Sequence, residues 1–264
     1  MREIFTYMHS FSKAHLFFNK TRSFFSQKNL ITPKFYAYWA KTNKDVNEAQ
    51  KLRYEVFAKE MSANIPGRID KDKFDEYCHH LMIKDSYTRK IVGTYRVLTS
   101  ENKNKIGSFY TESEFFIDAS LHDLNVVELG RACVHKNYRN AGVIACLWSE
   151  LGKFMIANNY QKIIGCSSIS LLDGGEYASS VYNYLIRQNK INYNYNVKPK
   201  KPFNFSKKII DEKVQLPPLF KGYLRLGAEI CGQPAHDPYF KTADFFTIFN
   251  IKSINKKYEK RFLK

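Results

Sequence analysis

The segment Glu128-Leu129-Gly130-Arg131 places an acid and a base close together on a stretch with strand character. Side chains alternate along a strand, so residues three apart point to opposite faces. Gly130 is a natural place for a β-bulge, which would shift the alternation by one residue and let Glu128 and Arg131 converge. A carboxylate beside a guanidinium can then serve as a general base. From the spacing alone, a structural ion pair at a strand end is the favoured alternative.

A second candidate site follows in the turn Tyr138-Arg139-Asn140-Ala141-Gly142-Val143, just before a predicted helix. The N-terminus of a helix offers free backbone N–H groups to an anion, and Arg139 adds positive charge. A pyrophosphate cradle normally needs more glycine than the single Gly142. An ordinary strand-to-helix turn therefore remains the alternative.

Further polar and aromatic candidates lie on three other segments. Arg53, Phe57 and Glu60 share one face of a predicted helix. Asp72 and Asp75 lie in a polar stretch, and Arg96 lies on a predicted strand. Taken separately, each charged residue is more often solvated than in contact with a ligand.

The cysteine and histidine pattern predicts no metal site. The five cysteines form no CxxC pair and no Cys/His spacing typical of a structural metal. They are therefore expected to be reduced, in an intracellular protein. His79 and His80 are adjacent on a predicted strand, so their side chains should face opposite ways.

These residues need a framework of helices and strands, which the hydrophobic periodicity supplies. A helix over 46–60 is expected to begin at a capping-box-like pair, Asp45 and Glu48. The other predicted helices are 141–158 and about 176–187, and the predicted strands are 80–84, 91–99, 125–135, 162–168 and 244–249. This order indicates a single mixed α/β domain.

The positive charge is concentrated outside the presumed core. The chain of 264 residues has a formal net charge of +17, and its 44% hydrophobic and 16% aromatic content argues against a disordered polycation. Residues 1–30, 187–213 and 252–264 carry net charges of +4, +6 and +5, which leaves the rest near neutral. We therefore divide the chain into a basic N-terminal extension 1–44, a domain 45–251 with a basic excursion 187–213, and a basic tail 252–264.

No apolar run is long enough for a transmembrane helix, which needs about 18 residues or more. Basic residues interrupt any signal-peptide core near the N-terminus. Phenylalanines and Met8 in residues 5–25 could form one face of an interfacial helix. A first helix docked on the core or frayed at its end is the equally supported alternative.

Nine segments occur in the order seen in a known family. They are LRYEVFAKEM (52–61), DKDKFDEYCHHL (70–81), IVGTYRVL (91–98), FYTESEF (109–115), VVELGRACVHKNYR (126–139), LWSELGKFM (147–155), GCSSI (165–169), LPPLFKGYLRLGA (216–228) and DPYFKTADFF (237–246). The series resembles the ornithine acyltransferases of ornithine lipid biosynthesis, which belong to the GNAT superfamily, over about 45–250. More distantly, Arg53, Phe57, Asp72, Asp75, Arg96, Glu128 and Arg131 match the pattern of the acyl-homoserine-lactone synthases.

This resemblance implies a mixed, mostly antiparallel sheet with a splayed, bulged strand and flanking helices. It also implies transfer of a (3-hydroxy)acyl chain from acyl carrier protein to the α-amine of ornithine or a related amino acid. The acyl-phosphopantetheine thioester is then a co-substrate, and no bound cofactor is expected. Glu128 matches the position of the general base, acting directly or through water, with Arg131 beside it and a backbone N–H at the bulge for the oxyanion.

Roles in substrate binding are implied in the same way. Arg53 and Arg96 would bind the carboxylate of the amino acid, Asp72 or Asp75 would pair with a cationic side chain, and Phe57 would line the same site. Val134, Arg139 and Gly142 would hold the phosphopantetheine. The resemblance does not identify the acid for the leaving thiolate; Tyr182 or Tyr184 is a candidate from the sequence alone, with a packing role as the alternative.

Two departures from the family pattern bear on specificity. The phosphate loop has Ile144 where a small residue is usual, which favours a donor with one phosphate on a carrier protein over coenzyme A. His79 replaces the usual Asp before a His-Leu pair, so the acceptor could be lysine or a neutral amino acid.

Two other functions remain open at this stage. One is an acyl-homoserine-lactone-type signal synthase, which the LPPL…YLRLGA segment disfavours. The other is a non-enzymatic basic module that binds membranes or nucleic acid. We expect a cytoplasmic protein, peripheral to the inner face of the cytoplasmic membrane, with an anionic membrane surface and acidic carrier protein as partners and no nucleic acid.

Overall fold

The computed structural model describes residues 35–123, 125–139, 141–208 and 214–254. The predicted interfacial segment 1–30 and most of the basic tail 252–264 therefore lie outside the described residues.

Within these ranges the chain forms short and long strands around a few helices. The strands are β1 Phe35–Trp39, β2 His79–Asp85, β3 Ile91–Thr99, β4 Phe115–Phe116, β5 Val126–Val134, β6 Lys162–Ser170, β7 Ile191–Asn192, β8 Lys198–Pro199, β9 Glu229–Cys231, β10 Ala235–Asp237 and β11 Thr242–Asn250. The helices are α1 Asn43–Tyr54, α2 Ser100–Ile106, α3 Ala141–Ala157, α4 Glu176–Arg187 and α5 Pro218–Leu226. Every predicted helix and strand is present, with ends that differ by a few residues.

One large sheet carries the order β1-β2-β3-β5-β6-β11-β9-β7, with β10 also paired to β11. Its pairs are antiparallel except β5 with β6 and β7 with β9. The parallel pair extends only over Val126–Glu128 and Lys162–Ile164, whereas β6 continues to Ser170 alongside β11. Strands β5 and β6 therefore diverge beyond Glu128, as the predicted splayed strand requires.

Gly165 marks the point where these two strands separate. A Cβ atom at this position would lie 2.5 Å from the carbonyl oxygen of Leu129. Since no side chain fits at that distance, glycine is what allows β5 and β6 to approach so closely before they part.

The predicted bulge is present on β5. Thr94 of β3 lies opposite Cys133, and Arg96 lies opposite Gly130, so β5 has one extra residue in this interval. The residue in the left-handed conformation is Arg131, with φ 52°, and not the neighbouring Gly130. Because the bulge reverses the alternation after Gly130, Arg131 turns toward the same side as Glu128.

The two faces of the sheet pack against different layers. Val97, Val127 and Leu129 contact α3 on one face. Leu98, Val126 and Ile164 face the loop-rich segment 106–121 on the other. Glu128 alternates with Val127 and therefore lies on the loop-covered face.

Helix α1 begins earlier than the sequence pattern predicts. Thr42 is its N-cap, and the Asp45 carboxylate accepts the Thr42 N–H while the Thr42 hydroxyl accepts the Asp45 N–H. Asp45 therefore occupies the N3 position of the capping box, whereas the sequence pattern places it at the start of the box. The helix continues as a π-helical turn over Glu55–Glu60.

The sheet also begins earlier than the domain boundary drawn at residue 45. Strand β1 pairs with β2 along its whole length, so it belongs to the folded domain and not to the basic extension. In the excursion 187–213, β8 pairs with β4 and β7 with β9. Among the described residues, none of the helices has the length and apolar character needed to cross a bilayer.

Candidate active site

Three arginines and three aspartates alternate in a closed ring of ion pairs at the centre of the loop-covered face. In order around the ring the pairs are Arg53–Asp70, 2.8 Å; Asp70–Arg131, 3.1 Å; Arg131–Asp72, 3.1 Å; Asp72–Arg96, 2.6 Å; Arg96–Asp75, 3.2 Å; and Asp75–Arg53, 2.7 Å. The charges of the six groups cancel, which is what permits so many of them to be buried together.

Four separate parts of the chain supply the ring. Arg53 comes from α1, Arg96 from β3 and Arg131 from the bulge in β5, while the three aspartates come from the loop 70–75. The Asp75 carboxylate also accepts the Asp72 N–H and the Gln50 amide. The arginines that neutralise the aspartates of this loop therefore also hold the loop in place.

The ring holds the Asp75 carboxylate in the ionised form. Burial raises the pKa of Asp75, but hydrogen bonds from Arg53 and the charges of Arg53 and Arg96 outweigh it and bring that pKa well below its usual value. Burial lowers the pKa of Arg131, and the charges of Tyr110, Asp70 and Asp72 raise it above the ordinary value. Asp75 is therefore a poor proton acceptor at neutral pH.

This geometry changes the roles expected for Arg53, Arg96 and Asp75. Arg53 is 0% exposed and donates to Asp70 and Asp75. Arg96 and Asp75 are buried as well. Direct contact between these groups and a substrate is not supported, because their polar atoms bond one another; they act as positioning residues. Asp72 keeps some exposure but is already paired with Arg96 and Arg131.

Glu128 lies beside the ring and outside it. Its carboxylate accepts the N–H of Tyr110 and the N–H of Thr111, each at 2.7 Å. Burial raises the pKa of Glu128. The two N–H groups and the charge of Arg96 lower it by less, so the pKa stays above its ordinary value. Arg131 stacks its guanidinium 4.8 Å from the centre of the Tyr110 ring. Glu128 and Arg131 therefore lie on the same side of the strand, as predicted. Both contact Tyr110, Glu128 at its backbone N–H and Arg131 at its ring.

A cleft of about 460 Å³ opens next to this arrangement, within the size range of small-molecule sites. Its walls carry both signs of charge. The cations are Lys71, Arg131, Lys200 and Lys201, and the acids are Asp70, Asp72, Glu114 and Asp237.

A second acidic group adjoins the cleft. Glu114 lines the wall, and its carboxylate lies near Asp244 and accepts a hydrogen bond from the Cys166 thiol at 3.6 Å. Burial and the charge of Asp244 raise the pKa of Glu114 to about 10. Burial also raises the pKa of Asp244.

The residues expected to hold the phosphopantetheine lie at the far end of β5. The Val134 carbonyl accepts the Arg139 Nε–H at 3.1 Å, and Arg139 also pairs with Glu60. Gly142 lies in the first turn of α3. The structure brings these residues together at the open end of the gap between β5 and β6, and their donor-binding role stays a prediction.

Two further expectations concern the side chains of Phe57 and His79. Phe57 packs edge-to-face on Phe240, whose ring lies under the Arg131 guanidinium, so it supports the ring of ion pairs from behind. His79 lies against Trp39 and Phe154 on the α3 side, away from the cleft. That position gives no support to a role of His79 in acceptor choice.

Neither tyrosine of α4 is placed as an acid for the leaving thiolate. Tyr182 stacks on Phe205 and packs against Phe245. Tyr184 packs against the same apolar cluster. Both are packing residues in this structure.

Sequence reasoning missed several members of the site. Asp70 belongs to the same Asp-rich stretch as Asp72 and Asp75, so spacing could have included it. Tyr110, Glu114 and Phe240 lie in segments without helical or strand periodicity, and Asp244 is the first residue of the predicted strand 244–249. Only the fold shows that these residues meet.

Three comparisons connect this geometry with known proteins. Residues 52–149, from α1 to the middle of α3, match the model of the acetyltransferase (GNAT) domain. The chain is 31% identical over 235 residues to an L-ornithine N(alpha)-acyltransferase of Brucella abortus, covering 81% of this chain and 83% of the relative. It is 30% identical over 243 residues to the Rhizobium meliloti protein of the same name, with 83% and 81% covered.

Among solved structures, the acyl-homoserine-lactone synthase LasI superposes with a TM-score of 0.48 and 12% identity, covering 88% of this chain and 96% of LasI. The N-acyl amino acid synthase FeeM gives a TM-score of 0.46 and 9% identity, covering 88% and 97%. The GNAT match and the mixed, mostly antiparallel sheet confirm the expected fold class.

Proposed function

The chain belongs to the family of the L-ornithine N(alpha)-acyltransferases, and on this premise we propose that it transfers a (3-hydroxy)acyl chain to the α-amine of ornithine, giving lyso-ornithine lipid. The family assignment makes the protein an acyltransferase. The interpretation as a non-enzymatic basic module is therefore set aside.

The observation that carries this proposal is the mixed charge of the cleft. Ornithine has one carboxylate and two amino groups, so its binding site needs cations and acids within a few ångströms. Arg131, Lys200 and Lys201 can face the carboxylate, and Glu114 and Asp237 offer acidic groups on the same walls. Charge-assisted hydrogen bonds of this kind are the strong ones in a partly buried site.

Glu128 is the carboxylate best suited to act as the base. The α-ammonium must lose a proton before its nitrogen attacks the thioester carbonyl. The C–N bond then forms, the C–S bond breaks, and the leaving thiolate takes up a proton. The lowered pKa of Asp75 makes it too weakly basic for this step, whereas burial raises the pKa of Glu128. Each Glu128 oxygen keeps a second lone pair beyond its backbone N–H bond, so a bridging water can relay the proton.

The acyl donor fits the gap between β5 and β6. Beyond Glu128, in the described part of the chain, β5 has no ladder partner on the β6 side. Peptide N–H groups on that edge can bond an extended phosphopantetheine arm and the oxyanion of the tetrahedral intermediate. Val134, Arg139 and Gly142 lie at the open end of the gap, where the single phosphate would be held.

Acyl carrier protein is the proposed source of the thioester, since an acidic carrier complements the basic rim of the cleft. Lys198, Lys200 and Lys201 are exposed there. The same positive surfaces, with the basic segments at both ends of the sequence, suit a peripheral position on the inner face of the cytoplasmic membrane.

The test uses the full chain with 3-hydroxyacyl-carrier protein and an amine acceptor, with products identified by mass spectrometry. Ornithine should give an N-acylated product that depends on both substrates. S-adenosylmethionine in place of ornithine should give no acyl lactone. A lactone product, or no acyl transfer to any amino acid, would contradict the proposal.

A further inference from the structure

Two carboxylates from distant parts of the chain meet beside the cleft. Asp244 lies on β11 opposite Ser168 of β6, and Cys166 lies two residues away on the same face of β6. Glu114 reaches this face from the segment before β4. One polar side-chain atom from each of Glu114, Cys166 and Asp244 lies within 4.8 Å of the other two.

The pair has unsatisfied hydrogen-bonding capacity. Asp244 is 4% exposed, and its Oδ1 atom has no hydrogen-bond partner among the described residues. Oε1 of Glu114 is likewise buried and without a hydrogen-bond partner. Buried polar atoms are normally bonded, so two such acceptors side by side call for a donor, which is either a proton shared by the two carboxyls or a ligand group that displaces it.

No arginine or lysine of the described residues forms an ion pair with Glu114 or Asp244, in contrast to the ring aspartates. Burial raises the pKa of both carboxyls, the charge of Asp244 raises that of Glu114 further, and the nearby charge of Asp237 acts on both in the same direction, so at neutral pH the pair retains a proton. A cation that enters would displace this proton. The site is thus one that binds positive charge and releases a proton on doing so.

An ammonium group fits this site better than a metal ion. A metal would require Cys166 as a thiolate, yet burial and the neighbouring acids raise the pKa of its thiol well above the usual value. A primary ammonium needs only acceptors, and its three N–H groups can bond both carboxylates at once.

We propose that Glu114 and Asp244 form the subsite for the side-chain ammonium group of the acceptor amino acid. This proposal rests on the proposed function and replaces the expectation that Asp72 or Asp75 has that role. Those aspartates are neutralised by Arg53, Arg96 and Arg131. Glu114 shares the cleft wall with Arg131, so a single amino acid can lie between the two.

The test compares ornithine with norvaline, which has the same carbon chain without the terminal amine. For Glu114→Gln and Asp244→Asn, kcat/KM with ornithine should fall about 10–100-fold, the effect of losing a hydrogen bond to a charged group. With norvaline, kcat/KM should change less than threefold. Asp123→Asn, an exposed acid elsewhere, serves as the control and should leave both values unchanged.

A pH series adds a readout that a structural role would not move. In the wild type, KM for ornithine relative to norvaline should fall as the pH rises, because the proton that competes with the ammonium leaves the pair. Glu114→Gln should flatten this dependence. If Asp244→Asn fails to fold, Glu114→Gln on the partly exposed wall carries the comparison.

Three results would overturn the subsite. One is an equal loss with both acceptors, which would make these acids catalytic or structural. Another is unchanged ornithine kinetics in both variants. The third is stabilisation of the wild type by Zn²⁺ or Mn²⁺ that Asp244→Asn removes. If the wild type acylates neither acceptor, the proposed function itself fails, which is a distinguishable outcome.

Discussion

At the scale of single residues, the buried carboxylates differ in what surrounds them. Asp75 is bonded to arginines, which keep its pKa low and make it a fixed negative charge. Glu128 accepts the peptide N–H groups of Tyr110 and Thr111 and bonds no arginine among the described residues, and burial raises its pKa. Environments that separate the pKa values of similar groups are what assign acid–base roles in enzymes.

The first prediction concerns Glu128→Gln. Loss of the base should lower kcat about 10²–10⁴-fold, the usual contribution of a general base. In the wild type, activity should rise with pH through the raised pKa of Glu128, above the ordinary value of about 4.3, because only the carboxylate accepts a proton. Steady-state kinetics over pH 5–9 (roughly the window in which such groups titrate) measures both effects.

Thermal melting of Glu128→Gln is the necessary companion measurement, since its amide can no longer accept both backbone N–H groups. Asp123→Asn again provides the unaffected control. A folded Glu128→Gln enzyme with wild-type kcat would remove Glu128 from the chemistry and leave it as the anchor of the Tyr110–Thr111 backbone.

Sequence reasoning located Glu128 and Arg131 because Gly130 signalled the bulge between them. It could not foresee that Arg53 and Arg96 bond Asp70, Asp72 and Asp75, since spacing shows which face a residue occupies and not which partner it meets. The Glu114–Asp244 pair was beyond reach, because nothing local links two acids on separate segments.

At the scale of elements, the ring of ion pairs joins α1, the loop 70–75, β3 and the bulge of β5. Each aspartate bonds arginines from two different elements. The ring therefore fixes the distance between the helix and the splayed strand, and with it the position of Tyr110 over Arg131.

The second prediction is that Asp75→Asn lowers the free energy of unfolding by about 3–5 kcal/mol at pH 7, as when one partner of a buried pair is removed. Because the folded-state pKa of Asp75 is depressed, its stabilisation is complete above the unfolded value of about 3.9 and is lost as the pH falls below it. The gap between variant and wild type should therefore narrow in acid.

Urea unfolding at several pH values measures that gap. The exposed neighbouring acid gives the matched control, Glu76→Gln, which should stay within about 0.5 kcal/mol of the wild type. A gap that is independent of pH would show that the loss comes from packing and not from the charge of Asp75.

Long elements were predictable and short ones were not. Strand β3 matches its prediction because Val, Tyr and Thr repeat over nine residues. Strands β9 and β10 have three residues each, too few to show a period. The sequence pattern places β1 in the N-terminal extension because five residues are too few to show a strand period. Its strand structure comes from pairing with β2 at the edge of the sheet.

At the scale of the whole molecule, the net charge of +17 is unevenly distributed along the chain. The ring is internally neutral, and the excess lies in segments around and beyond the folded domain. Lys200 and Lys201 bring part of that excess to the mouth of the cleft. The charge is thus placed where a large acidic donor would approach.

The third prediction follows from this placement. With acyl carrier protein as donor, kcat/KM should fall at least tenfold between low and 0.5 M salt, since steering by exposed charges is screened over about 10 Å or less. With a short acyl-pantetheine thioester the rate should change little. At saturating ornithine, which removes any loss of acceptor binding, Lys200→Gln with Lys201→Gln should reproduce the effect of salt for the carrier alone. An equal effect on both donors under that condition would contradict carrier docking at this rim.

The closed ring also has a consequence for the order of folding. Its members at residues 53, 70–75, 96 and 131 can meet only after the loops between them have closed, so the ring forms after the local helices and hairpins. Interactions absent from the folding transition state act mainly on the rate of unfolding. The ring should therefore lower the rate constant of unfolding more than it raises the rate constant of folding.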